Sequence, residues 1–141
     1  MWRKNIRIKH YNYKTDGYYF VTICTALRKP LLEKFKKQSE EILLSLPAKI
    51  TGVNIDYYKF VSSHLHVIFV LNDSALSLGE IVRRYKSLVT KECSGVIHRT
   101  FWEWNYYEHI IRNEKSLNAI RKYIEENAEK EQIDLRKVDV A

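Results

Sequence analysis

The chain has 141 residues, 45% of them hydrophobic, and a formal net charge of +7, which fits one globular domain over residues 1–141 and leaves no room for a second core. The basic balance favours an anionic partner, nucleic acid or a membrane surface, while no apolar run approaches the roughly 18 residues of a bilayer span. The opening MWRKNIRIKHYNYK has no apolar signal core, so the cytoplasm is the expected compartment, and Cys24 and Cys93, far apart and without CxxC spacing, read as buried thiols rather than a disulfide framework or a thiolate zinc site.

Along the chain, the N-terminal stretch carries Arg3, Lys4, Arg7, Lys9 and Lys14 with no acid, interleaved with Trp2, Tyr11 and Tyr13. Neutralised phosphates plus stacked bases is the usual recipe for single-stranded nucleic acid; a solvated terminus is the plain alternative. GYYFVTICT (17–25) is aromatic and β-branched and predicts a strand. Leu32, Phe35, Ile42, Leu43 and Leu46 lie at helical spacing, predicting a helix over 32–46 with Pro47 near its end. VNIDYYKFVSS and HLHVIFVL predict two more strands joined tightly around Ser62 and Ser63.

SLGEIVRRYKSLVTKE is the clearest helix: Ser77 and Glu80 form a capping box, and Leu78, Ile81, Val82, Tyr85 and Val89 make an apolar stripe. Arg83, Arg84 and Lys86 form a second basic cluster on it, for which an exposed polar face is the bland account. FWEWNYYEHIIR is aromatic and β-branched again, and a last helix is predicted over 114–131 with Asn113 as its cap. The order βαββαβα suggests an α+β sandwich, a mainly antiparallel sheet with helices packed on it.

Within HLHVIFVL, alternation puts His64 and His66 side by side on one face, sharing it with Ile68 and Val70. A lone HxH pair is more often structural, but imidazoles at the entrance to an apolar face need partners, and a divalent metal is one. Two nitrogens make a poor site; chemistry on a bound phosphate wants a third ligand and open positions. In LNAIRKYIEENAEK, at about 100° per residue, Leu117, Ile120 and Ile124 cluster, with Tyr123 and Asn127 one turn apart at the flank of that stripe. The plain reading makes Tyr123 an amphipathic edge residue and Asn127 a near-terminal helix residue. The sharper one makes the phenol a nucleophile that forms a phosphotyrosyl ester, with the Asn127 amide oxygen completing a metal shell.

These residues carry a resemblance. The chain resembles a single-tyrosine HUH transposase of the REP-associated, IS200-like kind, through GYYFVTICT, SSHLHVIFV, SLGEIVRRYKSLVTKE and above all FWEWNYYEHIIRNEKSLNAIRKYIEENAEK. The resemblance implies an HUH, ferredoxin-like α+β fold and a metal-dependent single-stranded DNA transposase and endonuclease. It further implies that His64 and His66 bind Mg²⁺ or Mn²⁺ with Asn127 as third ligand, and that Tyr123 attacks the DNA to give a 5′-phosphotyrosyl intermediate. The implied partner is single-stranded DNA, hairpin or palindromic. Its contacts are expected from the basic N-terminal stretch, Arg83, Arg112 and Lys86, the last because YKS falls where the family has a similar Lys-Ser pair, with Tyr106, Tyr107 and His109 packing or stacking beside the site. A homodimer in which Tyr123 serves the partner's histidines is also compatible.

The chain departs from the family pattern in three places. Val61, Ser62 and Ser63 precede His64 where an MPNH run is usual, Trp102, Glu103 and Trp104 replace a Trp-Gln-Arg run, and Ala128 replaces a proline after Asn127, which would let the helix continue. Three rival readings stand beside the transposase: a relative that binds DNA hairpins without cutting, a nucleic-acid-binding module with HLH as core, and a two-histidine phosphoesterase, which would need a second HxT or HxS motif in the other half of the chain.

Overall fold

The computed structural model describes residues 11–93 and 98–130; the basic residues Arg3, Lys4, Arg7 and Lys9 lie outside them. Its elements are β1 (Gly17–Cys24), a 3-10 turn (Ala26–Arg28), α1 (Leu31–Lys34), α2 (Lys36–Lys49), β2 (Val53–Phe60), β3 (His64–Leu71), α3 (Leu78–Cys93), α4 (His98–Phe101), β4 (Tyr107–Ile111) and α5 (Glu114–Asn127). The strands form one sheet in the order β2-β3-β1-β4, each neighbour antiparallel. With βαβ-type crossovers this is the expected ferredoxin-like α+β arrangement.

Alternation along the strands divides the sheet into two faces. Tyr19, Val21 and Ile23 of β1 and Leu65, Val67, Phe69 and Leu71 of β3 pack with Leu43 and Leu46 of α2 and Ile81, Val82, Tyr85 and Val89 of α3, all in one buried cluster. The opposite face carries Phe20 and Ile68, covered by Leu117, Ile120 and Ile124 of α5 with Ile111 of β4. The sheet is therefore the middle of three layers, and the α5 layer is the thin one.

Local chemistry explains several boundaries. The helix predicted over 32–46 is split at Phe35, whose backbone (φ −112°, ψ 35°) leaves the helical region, and Leu32 N and Glu33 N donate to Ser62 O, tying α1 to the β2–β3 turn. Pro47 lies inside the last turn of α2 instead of after it. Gly52 (φ +86°) requires glycine, since an added Cβ would lie 2.6 Å from the carbonyl oxygens of Asn72 and Asp73. The capping box closes as expected, with Ser77 N donating to Glu80 Oε1 at 2.8 Å and Glu80 N to Ser77 Oγ at 3.3 Å. Ser116 N donates to the Asn113 cap at 2.8 Å.

Two sequence expectations are corrected. Of FWEWNYYEHIIR only Tyr107–Ile111 is strand; Phe101 ends α4, and Trp102 makes an isolated bridge to Thr25. The last helix ends at Asn127, short of the predicted 131 although Ala128 stands where a proline would stop it. The carbonyls at its end, which lack helical donors, find them in side chains of β3.

Candidate active site

His64 and His66 open β3 on the α5 face and are 3% and 0% exposed. Their rings meet edge to face with centroids 4.8 Å apart, and Phe20 stacks on His66 at 5.7 Å. Both Nε2 atoms converge on a single oxygen, Ala128 O, at 2.8 Å from His64 and 2.9 Å from His66; Lys130 O takes a second contact from His66 at 2.8 Å. A carbonyl oxygen only accepts, so both Nε2 atoms carry the proton in this arrangement. On the far side of His66, Nδ1 lies 2.8 Å from Thr22 Oγ1, the residue paired with it across β1 and β3. Ser63 Oγ stands 3.5 Å from His64 Nδ1.

The converging oxygen belongs to the turn that ends the helix carrying Tyr123 and Asn127. Tyr123 is half-buried against the Phe20–Ile68 cluster. Asn127 is the last residue of α5, and its Nδ2 faces Tyr123 O at 3.4 Å. The helix is fastened to β2 by polar contacts. A bulge at Asp56 interrupts the register between Ile55 and Tyr57, and such an extra residue re-aims side chains. Asp56 accepts both Nε (2.8 Å) and NH2 of Arg121, while Tyr57 donates its hydroxyl to Glu125, which also pairs with Lys59 at 3.6 Å. Burial and the Glu125 carboxylate push the Tyr57 phenol up to about 12, and the same hydrogen bond, with the Lys59 charge, holds Glu125 below its ordinary range.

The donor set suits a divalent ion: two buried imidazole nitrogens turned to one point already filled by an oxygen, with the Asn127 amide a residue away. Loading through Nε2 requires its protons to move to Nδ1, where Thr22 Oγ1 is placed to accept from His66. Among the described residues no group of three or more His, Cys, Asp or Glu gathers that could hold an ion, and the further donors near the two imidazoles there are the Asn127 amide and backbone carbonyls.

The other sequence candidates are spread over the molecule. Tyr107 pairs with Thr22 and His109 with Phe20, placing both on the α5 face; Tyr106 joins the core of the opposite face. Arg112 is exposed just past β4, whose end pairs with Tyr18, and lines an open groove of about 640 Å³ with Tyr18, Asn113 and Arg121. That is the end of the sheet away from His64. Arg83 and Arg84 are exposed on α3, in the layer across the sheet from the histidines. Lys86 departs from the expected phosphate contact: it is 3% exposed, and its Nζ donates to Glu103 O at 3.0 Å and to Trp104 O and Asn105 O at 3.5 Å. Cys24 is buried and Cys93 partly so. Sequence reasoning missed Thr22 and the Ala128 and Lys130 carbonyls. Strand register with His66 signals the first; backbone oxygens give no sequence signal.

The family model "Transposase IS200 like" matches residues 13–127. An uncharacterized protein of Haemophilus influenzae is 32% identical over 162 aligned residues, covering 89% of this chain and 87% of that protein. The chain belongs to the IS200-like transposase family. Among solved structures, the REP-associated tyrosine transposase bound to a REP hairpin superposes with a TM-score of 0.70 at 21% identity, covering 86% of this chain and 70% of that one. A putative transposase from Deinococcus radiodurans superposes with a TM-score of 0.58 at 13% identity, over 89% and 97% of the two chains. Both share the fold. Family membership supports a transposase role, and among the described residues no helix is long and apolar enough to cross a membrane.

Proposed function

We propose that the chain is a metal-dependent transposase and endonuclease of single-stranded DNA that cleaves and rejoins strands through a 5′-phosphotyrosyl intermediate on Tyr123. The observation that carries the reading is the convergence of the His64 and His66 Nε2 atoms on the end of the helix that bears Tyr123 and Asn127. The hairpin in the REP-associated neighbour's structure supports a folded DNA strand as substrate.

His64 and His66 would hold Mg²⁺ or Mn²⁺ through Nε2, with Asn127 Oδ1 as a third, neutral donor. The chemistry supplied there when bound is polarisation of a non-bridging oxygen of the scissile phosphate. Tyr123 Oη attacks the phosphorus, its proton passing to solvent. The P–O3′ bond breaks and the departing oxygen takes up a proton, leaving a free 3′-hydroxyl. Attack by a second 3′-hydroxyl forms the new P–O bond and expels Tyr123, which regains its proton. One phosphoester replaces another at each step, so no nucleotide cofactor is required.

Incubating the protein with labelled hairpin DNA libraries and Mn²⁺, beside Tyr123→Phe and His64→Ala, tests the reading on denaturing gels. A covalent adduct lost in both variants and with chelator is expected. One observation favours a second reading: the Nε2 atoms are already satisfied by the Ala128 and Lys130 carbonyls, as in a relative that binds hairpins without cutting. Salt-sensitive binding without any adduct would select it.

A further inference from the structure

The loop between Trp102 and Tyr106 takes no part in the histidine–tyrosine site, yet it is anchored on every side. Trp102 is 1% exposed, and its Nε1 donates to Lys86 O at 3.0 Å. Glu103 N donates to Cys24 O at 2.9 Å, and its carboxylate pairs with Arg28 at 2.9 Å. The Lys86 ammonium spans the carbonyls of residues 103, 104 and 105. On this fixed backbone Trp104 is 75% exposed. A large apolar ring held in water on a rigid support is the usual mark of a contact surface.

The indole borders an open groove of about 560 Å³ whose other walls include Gly79, Val82, Arg83, Ser87 and Tyr106. Gly79 keeps that wall low: an added Cβ would meet Tyr106 Oη at 3.4 Å. A smaller groove of about 190 Å³ continues from it, sharing Arg83 and Ser87 and adding Arg84. Glu80 also lines it, but its carboxylate is engaged by Ser77 N in the capping box. Cys24, which holds Glu103, pairs with His64 across the strands, so the loop leaves the sheet at the histidine end.

We infer that Trp104 is a stacking platform for one unpaired DNA base, with Arg83 and Arg84 taking the phosphates beside it and Lys86 acting as a positioning residue that presents the indole. The two exposed guanidiniums and the chain's charge of +7 select a polyanion as occupant, and an aromatic face with flanking cations is what an unpaired base stacks on. This rests on the DNA reading above.

The test measures binding of three DNAs by fluorescence anisotropy: a hairpin with a short unpaired tail, the same hairpin with an abasic tail, and a blunt hairpin. Trp104→Ala should weaken the tailed hairpin by about 5- to 150-fold, the worth of one stacked base, and leave the abasic and blunt hairpins unchanged. Trp104→Phe should keep most of the affinity, and the melting temperature should not move. Equal loss on all three DNAs, or no loss on any, overturns the inference. If Trp104→Ala leaves tail binding intact while wild-type protein still forms the Tyr123 adduct, this inference falls alone; if wild-type protein binds none of the DNAs, the DNA reading falls with it.

Discussion

On the face covered by α2 and α3, the alternating positions of β1 and β3 are Tyr19, Val21, Ile23, Leu65, Val67, Phe69 and Leu71, all buried among aliphatic and aromatic partners. On the α5 face the same two strands present Phe20, Thr22, His64, His66 and Ile68, equally buried but with polar groups at one end. Each polar group there needs a partner, and each has one: Thr22 on His66, Ala128 O on both imidazoles, Lys130 O on His66. One face supplies stability. The other gives up apolar area at the β3 end to hold two convergent nitrogens, and covers them with a single helix fastened by ion pairs at the rim.

The largest effect on that comparison should come from core truncation. Leu65→Ala, fully buried in the larger core cluster, should cost about 4 kcal/mol, whereas Ile124→Ala in the thin α5 layer should cost about 2 kcal/mol because α5 is free to settle; urea unfolding of both variants reads the difference. Equal losses would mean that the two layers are equally packed. Next, Thr22→Val leaves His66 Nδ1 facing a methyl group, and Mn²⁺ affinity by calorimetry should fall about 10-fold, as for other partners of metal-binding histidines, with Thr22→Ser restoring most of it. Asn113→Ala removes the α5 cap and should cost about 1 kcal/mol.

The smallest effect is a pH dependence of the α5 fastening. The Tyr57 phenol is raised to about 12 in the folded chain from an ordinary 10.0. Its contribution is therefore complete below about pH 10 and lost as pH rises towards 12. Amide exchange of α5 should accelerate over that window, and Tyr57→Phe should flatten the change.

Much of this arrangement was legible in the residues. HLHVIFVL announced a strand with both histidines on one face, because period 2 leaves no other choice. Leu117, Ile120 and Ile124 announced the helix face that meets it, and Ser77, Glu80 and Asn113 marked helix starts through side chains that bond their own backbone. The Asp56 bulge was not legible, since an extra residue in one strand is decided by pairing with the next. Nor was the fate of Lys86: its sequence neighbours Arg83 and Arg84 point to solvent, and only the Trp102–Asn105 loop, distant in sequence, supplies the carbonyls that draw it inward. The early end of α5 escaped for the same reason, because its acceptors are answered from β3.

The most direct measurement is peptide mapping of the protein after reaction with hairpin DNA and Mn²⁺, with mass spectrometry locating any covalently attached nucleotide. The expected result is a single modified residue, Tyr123, carrying the DNA through its 5′ phosphate, with no modification in His64→Ala. Attachment at another tyrosine, such as Tyr106 or Tyr107, would contradict the assignment of α5 as the catalytic helix.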